Sequence, residues 1–217
     1  MEKRAFTEKK SGTYRLVLTA FFVAIILLMA FTPLGYIPTP MIKISLISIP
    51  VAVGAIILGP VEGLILGTVF GLTSVYQSMA GDGLGPLMMQ IAPIANIIVR
   101  LPTRMLMGFL TGVIYRAIKD SNIKAVSIPV ACVCAPVLNT ILYMTTLCLL
   151  FFNKPEIQDW AAAANLPTDN VIAFVTAMVG FNAFVEALAA LIIGSAITKA
   201  LMVAMRNSNM GQALNAQ

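Results

Sequence analysis

The chain has 217 residues, of which 59% are hydrophobic and 11% are charged, with 14 Lys and Arg against 9 Asp and Glu. Soluble domains carry about 25% charged residues. A domain of this size could not hide so much apolar surface from water, because a large share of its residues stays exposed. The composition therefore excludes an ordinary soluble domain and indicates a membrane protein.

Several kinds of chemistry are excluded by residue type. The sequence has no histidine, which excludes histidine-based catalytic triads, histidine metal sites and histidine proton relays. Cys132, Cys134 and Cys148 lie in one apolar run without Cys-x-x-Cys spacing, so we interpret them as packing residues. The basic residues, which give a net charge of +5, form no stripe. We expect no metal, no cofactor and no nucleic-acid partner.

Long uncharged runs predict an all-α polytopic membrane protein with six transmembrane helices. A hydrocarbon core requires about 20 mostly apolar residues per helix. The predicted spans are 15–33, 46–58, 61–79, a fourth that ends at Arg116, 125–152 and 171–201. They form one membrane domain over residues 15–204, which follows a charged tail at 1–14 and precedes a polar, disordered tail at 205–217. The first span is expected to be retained, because no small-x-small cleavage site closes it.

The loop charges predict the orientation. Lys and Arg concentrate in the N-terminal tail, in the 116–124 loop and after residue 198, which six spans would place on one face. The opposite face is net acidic. Positive charge on short loops marks the cytoplasmic side, so both termini are predicted to be cytoplasmic and the 153–170 loop external. We find no internal repeat, so the inverted-repeat design of many secondary transporters has no support.

Small residues recur every four positions on three spans. Gly63, Gly67 and Gly71 form one such row, and Gly108 with Gly112 forms another. Rows of this kind let helix backbones approach closely in lipid, so they predict packing within the bundle. Ala20 and Ala24 form a third, weaker row on the first span.

Three ionisable residues fall inside predicted spans. A charge at mid-bilayer costs about 2.5–3.5 kcal/mol on insertion scales, so Arg100, Arg104 and Glu186 are candidate functional residues. From a rise of 1.5 Å per residue, Arg104 lies about 18 Å from Arg116, and Glu186 lies about 20 Å from Lys199. Arg104 and Glu186 therefore share a level. They could form a structural ion pair, or they could bind a ligand.

A second polar layer lies slightly farther out. By the same arithmetic, Arg100, Asn139 and Asn182 lie about 22–25 Å from the cytoplasmic boundary. Tyr143 shares a helix face with Asn139, since the two are four residues apart. Arginine binds a carboxylate in bidentate fashion. The layer predicts a site in the outer half of the membrane for a small, polar, anionic ligand, with interhelical hydrogen bonding as the alternative.

Two external segments are candidate lids. A glycine-rich turn at 81–86 precedes an apolar stretch that contains Gln90 and Asn96, and both are candidate ligand contacts. The 153–170 loop contains Trp160, which we interpret as an interfacial anchor in preference to a ligand contact.

A set of ordered motifs extends from about residue 14 to 202. The motifs are LGYIP from Leu34, IPVAVGAIILGPVEG from Ile49, GTVFGLTS from Gly67, RMLMGFLTG from Arg104, LNT from Leu138 and VGFNAFVEA from Val179. Together they resemble the substrate-binding (S) components of energy-coupling-factor (ECF) transporters, and the pantothenate-type members most. One position differs from the family pattern, because Thr103 separates Pro102 from Arg104.

The resemblance implies a six-helix vitamin-binding protein with both termini inside. It implies that the S component is not an enzyme and delivers its vitamin with a transmembrane coupling protein and two ATPases. A small-x-x-x-small motif on the first helix contacts the coupling protein in this family, and Ala20 and Ala24 occupy that place. The sequence has no Gly-rich phosphate loop, so ATP would be consumed elsewhere. The alternatives are an S component for riboflavin, vitamin B6 or folate, and a standalone secondary permease.

Overall fold

The computed structural model describes residues 2–37, 43–81, 84–121 and 124–206, and these are mostly helical. The helices are α1 (Glu2–Ala30), α2 (Ser48–Leu58), α3 (Pro60–Met79), α4 (Gly85–Ile91), α5 (Pro93–Lys119), α6 (Ser127–Phe151), α7 (Pro155–Ala163), α8 (Val171–Ala189) and α9 (Ser195–Arg206). Two short strands, β1 (Tyr36–Ile37) and β2 (Ile44–Ser45), pair antiparallel between α1 and α2, with Tyr36 opposite Ser45.

Four helical stretches in the described residues are long and apolar enough to cross a membrane. They are Gly12–Ala30, Pro93–Lys119, Ser127–Phe151 and Val171–Met205. α2 is apolar but has 11 residues, which span about 16 Å against a hydrocarbon core of about 30 Å. The all-α, multi-pass membrane class is confirmed. Helix length and hydropathy identify four candidate spans among the described residues, so the predicted number of six stays a prediction.

Several element boundaries differ from the predicted ones. α1 begins at Glu2, so residues 2–14 of the predicted tail continue the first helix. The fourth predicted span begins at Pro93, which occupies the first turn of α5, where its missing N–H costs no hydrogen bond. The predicted 153–170 loop contains α7. The predicted disorder after Arg206 lies outside the described residues.

α3 and α5 pack at backbone distance, as the glycine rows predict. A Cβ at Gly63 would overlap the carbonyl of Gly108, and one at Gly67 would overlap the carbonyl of Arg104. Gly112 lies against Pro60 at the start of α3. The glycine rows therefore face each other and bring the next polar residues of both helices together.

Two apolar clusters surround this helix pair. The first includes Phe22 of α1, Val51 of α2 and Phe70 of α3. The second contains Phe151 of α6, Ile157 of α7 and Phe174 of α8, and Trp160 packs against it. Trp160 is thus half-buried against this cluster, and its role as an interfacial anchor stays a prediction. α5 contributes Met107 to the first cluster and Val99 to the second, and Arg100 and Arg104 lie between these two residues in the sequence.

Candidate ligand-binding site

Arg100 is held by a hydrogen-bond network between α3 and α5. Its Nε donates to Oδ1 of Asn96 at 2.8 Å, and its Nη1 donates to Oγ of Ser74 at 3.1 Å. Asn96 is fully buried and donates from Nδ2 to Oγ of Ser78 at 2.6 Å. A guanidinium has five N–H donors, and these bonds use two of them. Arg100 is therefore fixed in position and keeps donors for a ligand.

Arg104 is held between two aromatic rings. Its Cζ lies 4.7 Å from the ring centroid of Phe70 and 5.2 Å from that of Tyr143. Its Nη1 donates to the backbone carbonyl of Arg100 at 3.1 Å. Cζ of Arg100 lies 5.9 Å from the same Tyr143 ring. The two guanidinium groups thus share one aromatic neighbour, which orients both by cation–π attraction.

Three buried polar atoms, one on Arg104 and two on the elements that carry Tyr143 and the partner of Glu186, have no hydrogen-bond partner. They are Nε of Arg104, Oδ1 of Asn139 and Oγ of Ser45. A buried donor or acceptor without a partner is rare and costs about 1–3 kcal/mol. Arg104 offers a donor, whereas Asn139 offers an acceptor. A ligand with an anionic group and a hydroxyl or amide N–H would satisfy both.

Glu186 is buried and interacts with a backbone amide. Its Oε1 accepts a hydrogen bond from the backbone N–H of Ser45 at 2.6 Å. It also lies within electrostatic range of Arg104. In the part of the chain that the structure describes, however, Arg104 and Glu186 form no salt bridge, so the ion pair, one of the two alternatives for these residues, is not observed. The carboxylate instead accepts a hydrogen bond from β2, the strand that precedes α2.

The other predicted contacts fall into two groups. Asn182 is buried on α8, one turn before Glu186 and on the same face. Asn96 supports Arg100 through its hydrogen bond. Gln90 is exposed on α4, and among the described residues no contact joins it to either guanidinium group. The structure therefore brings Arg100, Arg104 and Tyr143 together and leaves Gln90 outside.

Sequence reasoning missed several residues of the site. Ser74 and Ser78 continue the glycine row of α3, so the spacing of Gly67, Gly71, Ser74 and Ser78 was an available signal. Phe70 lies in an apolar run, and its sequence context does not distinguish it from an ordinary core residue. Ser45 gave no signal, because no helical or strand periodicity connects it with α8.

A surface groove runs along α1 beside α3. Its volume is about 610 Å³ and its walls include Ala20 and Ala24, both of which are exposed. At one end Arg15 forms an ion pair with Glu62, at 2.5 Å between Nη2 and Oε1. Nη2 of Arg15 also donates to the carbonyl of Leu58 at 3.2 Å, which ties α1 to the end of α2. The small side chains thus form a shallow apolar surface with a charged boundary.

Comparison with known proteins identifies the family. The family described as "ECF transporter, substrate-specific component" matches residues 14–198. This chain belongs to that family. The S component is also 28% identical to the Pantothenate transporter PanT of Leuconostoc mesenteroides subsp. mesenteroides over 199 residues, which are 88% of this chain and 93% of that protein. Membership confirms the predicted resemblance and implies a small-molecule substrate and association with the ECF coupling protein and ATPases.

Proposed function

We propose that this S component binds pantothenate and delivers it for import with the coupling protein and two ATPases. The observation that carries the proposal is the guanidinium pair of Arg100 and Arg104, with an unpartnered donor at Arg104 and an unpartnered acceptor at Asn139. The likeness to PanT supports the same substrate. No chemical step on the vitamin is required.

The charge of the site favours a monoanion. Arg100 and Arg104 are both buried, and Glu186 is the carboxylate that lies near them. Two guanidinium groups and one carboxylate leave one positive charge without compensation. Buried charges are costly unless they are paired, so a ligand with a single carboxylate suits the site.

Pantothenate has the complementary groups. Its carboxylate would accept hydrogen bonds from Arg100 and from Nε of Arg104, and its hydroxyl or amide N–H would donate to Oδ1 of Asn139. Asn182 and Tyr143 complete the proposed contacts. Riboflavin and pyridoxine lack a carboxylate, and folate has two. The charge balance therefore favours pantothenate over these vitamins.

The proposed arrangement in the membrane has six spans within residues 15–204. α2 and α3 would add to the four stretches of sufficient length and hydropathy, with the short α2 lengthened by the paired strands before it. The basic residues support cytoplasmic termini. The ligand would then enter from outside, and α7 would lie on the external side.

The groove beside α3 is the proposed contact with the coupling protein. Ala20 and Ala24 are exposed on a helix whose other faces carry large side chains. Small residues let a partner helix approach closely in lipid. Ala20 and Ala24 would thus bind the coupling protein, on a surface separate from the vitamin site.

A panel of vitamins tests the substrate. Purified protein is heated with pantothenate, riboflavin, pyridoxine or folate, and the unfolding temperature is measured. Pantothenate should raise it, and Arg100→Ala and Asn139→Ala should reduce that rise strongly. Arg116→Ala, which removes an exposed arginine from the same helix, is the matched control and should preserve it. Stabilisation by another vitamin alone would reject pantothenate as the substrate.

A further inference from the structure

β2 and the residues that follow it are buried, and one edge of β2 faces α8. Ile44, Ser45 and Ile47 are all buried. The N–H of Leu46 donates to the carbonyl of Gly35 at 2.9 Å, across the strand pair. Successive N–H groups of an antiparallel strand point to opposite sides. The N–H of Ser45 therefore points away from β1 and needs another acceptor.

Glu186 supplies that acceptor. Its Oε1 lies 2.6 Å from the amide nitrogen of Ser45, a short bond of the charge-assisted kind. A backbone N–H without a partner is especially unfavourable inside a membrane protein, where water does not replace the lost bond. The carboxylate thus fixes β2 against α8.

Ser45 also borders the proposed ligand site. Tyr36, its partner across the strand pair, lies within electrostatic range of Arg104, as Glu186 does. The Ser45 hydroxyl is buried and has no hydrogen-bond partner. Residues directly opposite each other in an antiparallel pair share a face, so the Ser45 side chain lies on the same face of the strand pair as Tyr36.

We infer that Glu186 is a positioning residue, which holds Ser45 so that the hydroxyl of Ser45 contacts the vitamin. This inference rests on the proposed function for its ligand. Glu186 then acts through the strand and makes no direct bond to the vitamin, in contrast to the sequence-based assignment. Ser45 becomes a ligand contact that the sequence did not indicate.

Hydrogen exchange tests the first step without any ligand. In Glu186→Met, which keeps the length of the side chain and removes the acceptor, the amides of 44–47 should exchange at least about tenfold faster than in the wild type. Glu186→Gln retains an acceptor and should restore slow exchange. Phe184→Leu, an exposed position on the same helix, is the control. Unchanged exchange at 44–47 in folded Glu186→Met, or fast exchange in Glu186→Gln, would overturn the positioning role.

A double-mutant cycle tests the second step. Ser45→Ala should weaken pantothenate binding about fivefold, the value of one neutral hydrogen bond. If Glu186 acts through Ser45, the double variant Glu186→Met, Ser45→Ala should bind pantothenate about as weakly as Glu186→Met alone. If the two residues contact the vitamin independently, the fold-losses in affinity of the two single variants should multiply in the double variant. That second result would overturn the inference. If the wild type binds no pantothenate, the proposed function fails, and the exchange measurement still decides the role of Glu186 at Ser45.

Discussion

Gly67 of α3 packs directly against the backbone carbonyl of Arg104 on α5, with no room between them for a methyl group. This contact sets the distance between the two helices at the level of the ligand site. We therefore expect Gly67 to affect ligand binding although it has no polar side chain. Any group at this position would displace the backbone that carries the guanidinium.

We expect Gly67→Ala to lower both stability and affinity. The added Cβ forces α3 and α5 apart, and overpacking of this kind costs about 1–3 kcal/mol of unfolding free energy. Pantothenate affinity should fall about tenfold or more, because Arg104 moves with its backbone. Thermal unfolding and a binding titration measure both effects. Gly180→Ala is the control, since its Cβ would meet Thr176 at an ordinary 3.5 Å. Equal behaviour of the two variants would contradict the prediction.

The ring of Tyr143 should matter more than its hydroxyl. Tyr143→Phe keeps the aromatic face that lies near both arginines, so its pantothenate affinity should stay within about threefold of the wild type. Tyr143→Leu removes that face and should weaken binding about tenfold. Titration by calorimetry distinguishes the two variants. A large loss in Tyr143→Phe would instead indicate a hydrogen bond from the hydroxyl to the ligand.

The carboxylate of the ligand should dominate recognition. Pantothenol, in which a hydroxyl replaces the carboxylate, should bind about 10–100-fold more weakly than pantothenate, as expected for hydrogen bonds to a charged group. Arg104→Gln should reduce this preference, because it removes the buried charge that the carboxylate compensates. Competition binding gives both ratios. A wild-type protein that does not discriminate between the two ligands would refute the charge argument.

Assembly should depend on the groove and not on the ligand site. Ala24→Trp fills the space beside α3, so co-purification with the coupling protein and uptake in cells should fall by about tenfold or more. Pantothenate binding by the isolated S component should be unchanged. Phe21→Trp lies on the same helix but lines a different groove, and should assemble normally. Loss of ligand binding in Ala24→Trp would show that the two surfaces are not separate.

The sequence predicted the arginines and Asn139 because lipid makes buried polar groups costly, and such residues stand out in apolar runs. It also predicted that the glycine rows pack closely within the bundle, because small residues let helix backbones approach in lipid, but not that the two rows face each other across α3 and α5. Serine gives a weaker signal, because its hydroxyl can bond to the carbonyl of its own helix. Ser74 and Ser78 were missed for that reason.

Contacts between distant segments were beyond sequence reasoning. Depth arithmetic gave Arg104 and Glu186 the same level but not the direction of either side chain. It therefore left open whether the two form an ion pair or bind a ligand, and it did not indicate that Glu186 accepts a hydrogen bond from the N–H of Ser45. The sequence does not define where α5 begins, because residues 83–99 contain no charge that would mark the end of a span. Pro93 could have indicated the start, since proline is common in the first turn of a helix.

The π-helical segment Ala190–Gly194 joins α8 to α9 and keeps their buried positions in one row. Every fourth residue from Phe174 to Thr198 is buried: Phe174, Met178, Asn182, Glu186, Ala190, Gly194 and Thr198. In a regular α-helix such a row drifts by about 40° at each step. The π-helical turn contains more residues than an α-helical turn, so each residue advances by a smaller angle about the helix axis. Four residues there complete less than one full turn, and this corrects part of the drift. Deleting one residue there would rotate Thr198 away from Cys132, its neighbour on α6, while Glu186 stayed in place.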